Sequence, residues 1–262
     1  MHNFVTRDGT PPEQFRQIGR VQLAAYPNVV VQDARVESIS GNRGAFEVVL
    51  DAGRVQARRI LLCTGMVDEM LPIAGFREHW GQAIFQCPYC HAWEVQDRAW
   101  GYLANAADAH MLQHFAMLAR GWTKDLTIFT GGQFELPETS RASLHKAGIK
   151  LETRPIQRLS SQDGRLNGVT LEDGALVPCE VLFAHPPQHQ VPLVAALALA
   201  LDGHGYVQVD PMTRESAVPG IYAAGDLTTR MQAAINAAAS GMQAAAMINV
   251  ELTNEMVMNG LL

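Results

Sequence analysis

The chain has 262 residues, 20 basic against 26 acidic, with a formal charge of -6, 48% apolar and 18% charged residues. These values describe a soluble globular protein with room for one large core or two domains of roughly 100 to 150 residues, and they exclude a miniature scaffold. An acidic balance without a Lys/Arg run argues against general binding to nucleic acid or to anionic membranes.

From the N-terminus, Met1 to Gly9 lacks the apolar stretch that a secretory signal needs. A helix is predicted from Pro12 to Tyr26, with Thr10 as a candidate cap and Pro11 and Pro12 in its first turn. Val29-Val30-Val31 reads as a short strand, followed by a strand through Ile39-Ser40, a hairpin turning at Asp51-Ala52-Gly53, and the apolar strand Ile60-Leu61-Leu62. Cys87-Pro88-Tyr89-Cys90-His91 comes next. Strand Trp100 to Ala104, helix Ala109 to Arg120 and strand Leu126 to Phe129 then form a βαβ unit. The apolar run Val191 to Leu201 stops at Asp202, well short of the roughly 20 residues that cross a bilayer. Val218 to Asp226 reads as a turn and a buried strand ending in Gly225-Asp226, before a long helix from Met231 to about Leu252.

The chain repeats itself. Val48 to Val55 with Ile60-Leu61-Leu62 matches Val169 to Leu176 with Val181-Leu182-Phe183, 121 positions on and without a gap. Upstream, Val29 to Ser40 lies over Ile149 to Ser160 at an offset of 120. A period this long indicates two similarly built domains rather than a solenoid. The counterpart of the βαβ unit at Trp100 would fall before Met1, so the first copy is expected to begin in mid-domain.

Four cysteines with one close pair indicate a reducing cytoplasm rather than a disulfide-stapled secreted domain. The C-x-x-C spacing of Cys87 and Cys90 permits a reversible disulfide and lowers one thiol pKa, and His91 can move a proton near neutral pH. Zinc is a rival, since His110 and His114 stand one helical turn apart and could complete a Cys2His2 set, although 19 residues separate Cys90 from His110 against about 12 in a zinc finger. No metal site is therefore expected. A glutaredoxin-like module is a further rival, but it requires a helix directly after the dithiol, where His91 to Arg98 is a mixed segment. Cys63 and Cys179 read as buried packing residues. At the last long helix, orphan N–H groups of the first turn suit negative charge on a bound ring, and Asp226 suits a sugar-like hydroxyl; the plainer reading is a core helix capped by Asp226, Thr228 or Thr229.

Cys63-Thr64-Gly65 after a strand, Cys87 to His91, and Val218 to Asp226 with Met231-Gln232-Ala233 together resemble the low-molecular-weight thioredoxin reductase family, over almost the entire chain. The resemblance implies an α/β fold of two nucleotide-binding-type (Rossmann-like, three-layer) domains. An FAD-type domain would cover 1–84 and 188–262, N-terminally truncated and split by an NAD(P)-type domain, 85–187, carrying the dithiol. It implies a flavin-dependent thiol/disulfide oxidoreductase exchanging two electrons between FAD and Cys87/Cys90. Cys90 would face the flavin and Cys87 would attack a substrate disulfide. His91 takes the place of the family's acidic proton donor, as in the dithiol-oxidase branch of natural-product pathways. Gly225 and Asp226 would hold the ribityl chain, Met231, Gln232 and Ala233 the pyrimidine edge, with Asn3, Thr64 and Gly65 beside the ring. The partner would be a small-protein or small-molecule disulfide or dithiol, and the family's habit implies a homodimer.

Two departures qualify this. The Gly-x-Gly-x-x-Gly turn for the FAD pyrophosphate does not occur. In the second domain the loop glycines are replaced by Ala104, Ala106 and Asp108, and the second strand ends Phe129-Thr130-Gly131-Gly132, without an acid for a ribose hydroxyl or arginines for a 2′-phosphate, which makes NADPH a doubtful cofactor. The rival from another class is a cofactor-poor remnant acting as a binding protein through an exposed sheet edge.

Overall fold

The computed structural model describes residues 2–105 and 109–261. In chain order its elements begin with α1 (Pro12–Leu23), β1 (Val36–Asn42), β2 (Ala45–Leu50), β3 (Gly53–Ala57), β4 (Ile60–Leu62) and β5 (Val67–Asp68). There follow α2 (Phe76–His79), β6 (Ile84–Phe85), α3 (Pro88–His91), β7 (Trp100–Leu103), α4 (Ala109–Ala119), β8 (Leu126–Phe129), α5 (Glu138–Lys146) and β9 (Lys150–Glu152). The rest are β10 (Ile156–Gln162), β11 (Arg165–Leu171), β12 (Leu176–Pro178), β13 (Val181–Ala184), β14 (Gln188–His189), α6 (Pro192–Ala196), β15 (Ile221–Ala223) and α7 (Ala234–Met258).

These elements divide into two compact units, one of residues 3–68 and 188–261 and the other of 69–187. Residues 69–84, which the sequence reading gave to the first domain, group with the second because Ile84 and Phe85 pair with Leu182 and Phe183 of β13. In the second unit a five-stranded parallel sheet, ordered β6-β13-β7-β8-β9, has helices on one face and the antiparallel meander β10-β11-β12 on the other. Alternation along the strands builds both cores. Trp100, Tyr102, Leu126, Ile128, Val181 and Phe183 turn to Leu112, Phe115 and Ala116 of α4, while Leu103, Phe129 and Leu182 turn to Leu159, Val169 and Leu171 of the meander. Gly101 is glycine for packing reasons: a Cβ there would lie 2.8 to 2.9 Å from Leu182, Cys179 and Phe129.

The first unit carries the equivalent meander, β1-β2-β3, and β4 pairs in parallel with β15 as β13 does with β6. The repeat holds pair by pair: Val36 opposes Leu50 and Ile39 opposes Val48, as Ile156 opposes Leu171 and Leu159 opposes Val169. Both copies bulge at the same place, Val36/Ser38 and Ile156/Arg158. The change of offset from 120 to 121 is a second bulge found only in the later copy, where Ser160 opposes Gly168 and Ser161 opposes Leu166, leaving Asn167 as the extra residue.

Val29-Val30-Val31 does not form the expected strand. Its counterpart β9 pairs with β8, whereas 29–31 pairs with no described strand and its three valines are exposed. α1 likewise has no buried residue and ends at Leu23, with Pro11 rather than Thr10 at the N-cap position.

Arg59, just before β4, fixes α7. Its side chain is only 4% exposed, with Nε donating to Glu251 at 2.8 Å and the guanidinium also bonding Glu255 one turn on. Both glutamates are about one-third exposed, so water can reclaim them. Arg59→Met is therefore expected to cost about 2 kcal/mol, below the cost of breaking a fully buried pair, as read from the urea midpoint at constant slope.

Candidate active site

In the second unit the Cys-Pro-Tyr-Cys-His segment folds because Pro88 is preset for a helical first turn. Cys87 is extended (φ -112°, ψ 117°) and caps the short helix α3, with Cys90 N–H donating to Cys87 O at 3.2 Å and Ala92 N–H to Pro88 O at 2.7 Å. Both cysteines are free thiols and partly buried. The Cys87 pKa falls from its ordinary 9.0 to about 6. A hydrogen bond from the Cys90 thiol is the main cause, the Cys90 and Tyr89 backbone N–H groups add to it, and partial burial opposes it.

His91 ends α3. Its ring stacks on Phe85 with centroids 4.2 Å apart and planes 12° apart, and its Nδ1 is buried without a hydrogen-bond partner. Burial pushes the imidazole below the usual histidine range, with Glu94 opposing, so the ring is neutral near pH 7. Cys90 and the neutral imidazole thus share one four-residue helix, with Cys87 at its N-cap. Sequence reasoning singles out Cys87, Cys90 and His91 but not Phe85, whose place against the His91 ring depends on strand pairing.

In the first unit the parallel pair β4 and β15 brings two loops together, since both strands end at the same level, Leu62 beside Ala223. Ala224 N–H donates to Leu62 O at 3.0 Å, which sets Cys63-Thr64-Gly65 beside Gly225-Asp226. Gly225 has φ 84°, a Cβ there would meet Ala237 of α7 at 3.4 Å, and its N–H donates to Ser240 Oγ at 3.0 Å. Asp226 is half-buried with no protein hydrogen bond to its carboxylate among the described residues, and burial raises its pKa. Asn3 has a left-handed conformation (φ 62°), and its N–H donates to Asp8 Oδ1 at 3.0 Å.

Three expectations are corrected here. Cys63 is exposed rather than buried, because it lies one residue past the last paired residue of β4; Cys179 is buried as expected, its thiol pushed up to about 12 by desolvation. The last helix starts at Ala234, not Met231, and its N-cap is Ala233 in extended conformation. Thr229 Oγ accepts the Met231 N–H at 3.1 Å and Gln188 bonds the Gln232 side chain, which holds 229–233 out of the helix. Asp226, Thr228 and Thr229 are therefore not its cap.

A half-buried carboxylate without a partner and a long helix whose N-terminus has no side-chain cap suit a flavin with its hydroxylated chain. The end of β8, Phe129-Thr130-Gly131-Gly132, carries neither the acid that holds a nicotinamide nucleotide's ribose hydroxyl nor an arginine for a 2′-phosphate. Ala106, Ala107 and Asp108 of the adjoining loop lie outside the described residues. Among the described residues no three His, Cys, Asp or Glu side chains could hold a metal, and the His110 side chain is outside them. No described helix is long and apolar enough to cross a membrane.

Residues 122–241 match the family described as pyridine nucleotide-disulphide oxidoreductase. The chain is 30% identical to thioredoxin reductase aclD of Aspergillus oryzae over 94% of itself and 81% of that protein. Among solved structures it is similar to one assigned as thioredoxin reductase TrxB from Bacillus anthracis (32% identity, TM-score 0.88, 97% of this chain and 85% of the other). It is also similar to an oxidoreductase from Agrobacterium tumefaciens (31%, 0.86, 96% and 84%). Two Rossmann-like α/β units, one bearing a C-x-x-C helix, define a disulfide oxidoreductase, and the chain is an enzyme of that class. Within the class it belongs to the thioredoxin-reductase-like family.

Proposed function

We propose that the chain is a flavin-dependent thiol/disulfide oxidoreductase acting through Cys87 and Cys90, with 3–68 and 188–261 as the FAD-type unit and 69–187 as the dithiol unit. The observation that carries this is the Cys87 thiol, lowered to about 6 at the start of α3 beside a second thiol. FAD, held by Asp226, Gly225, Thr64, Gly65 and the 231–233 segment, with Asn3 as a further contact, would supply or remove the electron pair. Cys87 thiolate attacks one sulfur of a substrate disulfide and expels the other as a thiolate. Cys90, deprotonated, then attacks Cys87 Sγ, releasing the second substrate thiolate and leaving a Cys87–Cys90 disulfide. Neutral His91 takes the Cys90 proton and returns it to a departing thiolate. Each step runs in reverse for a dithiol substrate, and the lack of nucleotide ligands at the end of β8 favours that direction. The substrate is a small-protein or small-molecule disulfide or dithiol, the setting a reducing cytoplasm, and the working form a homodimer.

The pH dependence tests the carrying observation. Alkylation of Cys87 in the reduced chain, followed by peptide mass spectrometry, should titrate with a midpoint near 6. A midpoint above 8 would remove the basis for a nucleophilic Cys87. The same shift affects stability: because the folded pKa lies below the ordinary 9.0, the thiolate's contribution is full above about pH 9 and is lost as pH falls through about 6.

A further inference from the structure

Gln188 gathers three polar side chains of the first unit. Its Nε2 donates to Asp68 Oδ1 at 2.8 Å and to Gln232 Oε1 at 3.1 Å. Its Oε1 accepts from Gln232 Nε2 at 2.8 Å and from the Tyr206 hydroxyl at 3.3 Å. Asp68 and Gln188 face each other because β5 and β14 pair in that register. The direction of every bond follows from one charge. A carboxylate only accepts, so the Gln188 end toward Asp68 is its NH2; Gln188 Oε1 must then accept, and the Gln232 atom facing it must be Nε2. Gln188 has both donors and its carbonyl engaged, whereas Gln232 spends one N–H and keeps the other.

We infer that Gln188 is a positioning residue which, with Asp68, fixes the amide orientation of Gln232 and leaves one Gln232 N–H to donate to an acceptor on the bound cofactor. The ligand clause rests on the flavin reading above; the orientation of Gln232 does not. Gln188 lies 44 residues from Gln232 and 120 from Asp68, so no local motif signals the arrangement.

Side-chain amide NMR of the full chain, labelled with nitrogen-15 glutamine and assigned with Gln232→Met, tests the orientation. Wild type should show two well-separated Gln232 side-chain protons. Gln188→Met should collapse them toward free-glutamine positions, and Asp68→Asn should broaden or double them, since an amide no longer dictates which end of Gln188 faces it. Unchanged Gln232 signals in Gln188→Met would overturn the inference. FAD affinity by fluorescence titration tests the ligand clause. Gln188→Met and Gln232→Met should each weaken binding about tenfold, and the double variant no further. Losses that multiply to about a hundredfold would show that Gln188 does not act through Gln232. A chain that takes up no FAD overturns the flavin reading and the ligand clause together, while the NMR result still decides the orientation.

Discussion

Cys87→Ser should reduce turnover with a disulfide substrate at least about a thousandfold, because serine cannot form the first mixed disulfide and Cys90 has no sulfur to attack. Cys90→Ser should stop at a different point. Cys87 still attacks, one equivalent of substrate thiol leaves, and the other stays attached at Cys87, visible by mass. The chemistry also sets the best pH for seeing this. With a pKa near 6, Cys87 is about half thiolate at pH 6, where a cysteine in a short unstructured peptide, with a pKa of about 8.5, is about 0.3% thiolate. The lower basicity costs roughly a factor of ten in intrinsic nucleophilicity, so the net advantage is about tenfold at pH 6 and disappears by about pH 8. Single-turnover release of thionitrobenzoate from its aromatic disulfide at pH 6, in a Cys63→Ser background, reads this directly. A fast phase that survives Cys87→Ser would assign the nucleophile elsewhere.

Trp100→Ala should destabilise the second unit by about 3 to 5 kcal/mol. The indole is 1% exposed in the helix-side core, packed on Phe183 at 4.7 Å and on Trp122 at 6.4 Å. It also reaches toward the chemistry: its Nε1–H donates to Val95 O at 2.8 Å, fixing the turn that follows His91. Trp100→Phe separates the two effects. Keeping most of the ring and losing the donor, it should cost about 1 to 3 kcal/mol, including the orphaned Val95 carbonyl, and should lower amide protection across 91–97 less than the alanine change does. Urea denaturation with hydrogen exchange on the same samples tests both; no loss in Trp100→Phe would mean that the bond to Val95 contributes nothing, and equal losses in the two variants that the ring packing contributes nothing.

What the sequence disclosed follows from the range of the forces involved. The hairpin turn at Asp51-Ala52-Gly53 and the β7-α4-β8 unit are set by local chemistry, and they fold where the residues place them, whereas the short helix α3 at the dithiol was not read from the sequence. Repetition carried the argument further, since two stretches with the same pattern adopt the same strand registers, down to a shared bulge. Properties decided by distant neighbours were not legible. Three valines at 29–31 have high strand propensity, but propensity needs an adjoining strand to become structure. Cys63 follows an apolar strand and still lies in solvent, because burial depends on what covers a strand end. The start of α7 moved three residues because Thr229 and Gln188 compete for the groups at 231 and 232.

The exposed thiol at Cys63 also matters for handling the protein. In air, two copies can join through it, and a covalently linked pair would run on a sizing column as an oligomer without any native interface. Adding reductant to dissolve that pair would also hold Cys87 and Cys90 open, so the aggregation state and the redox state of a preparation would change together unless residue 63 is first made serine.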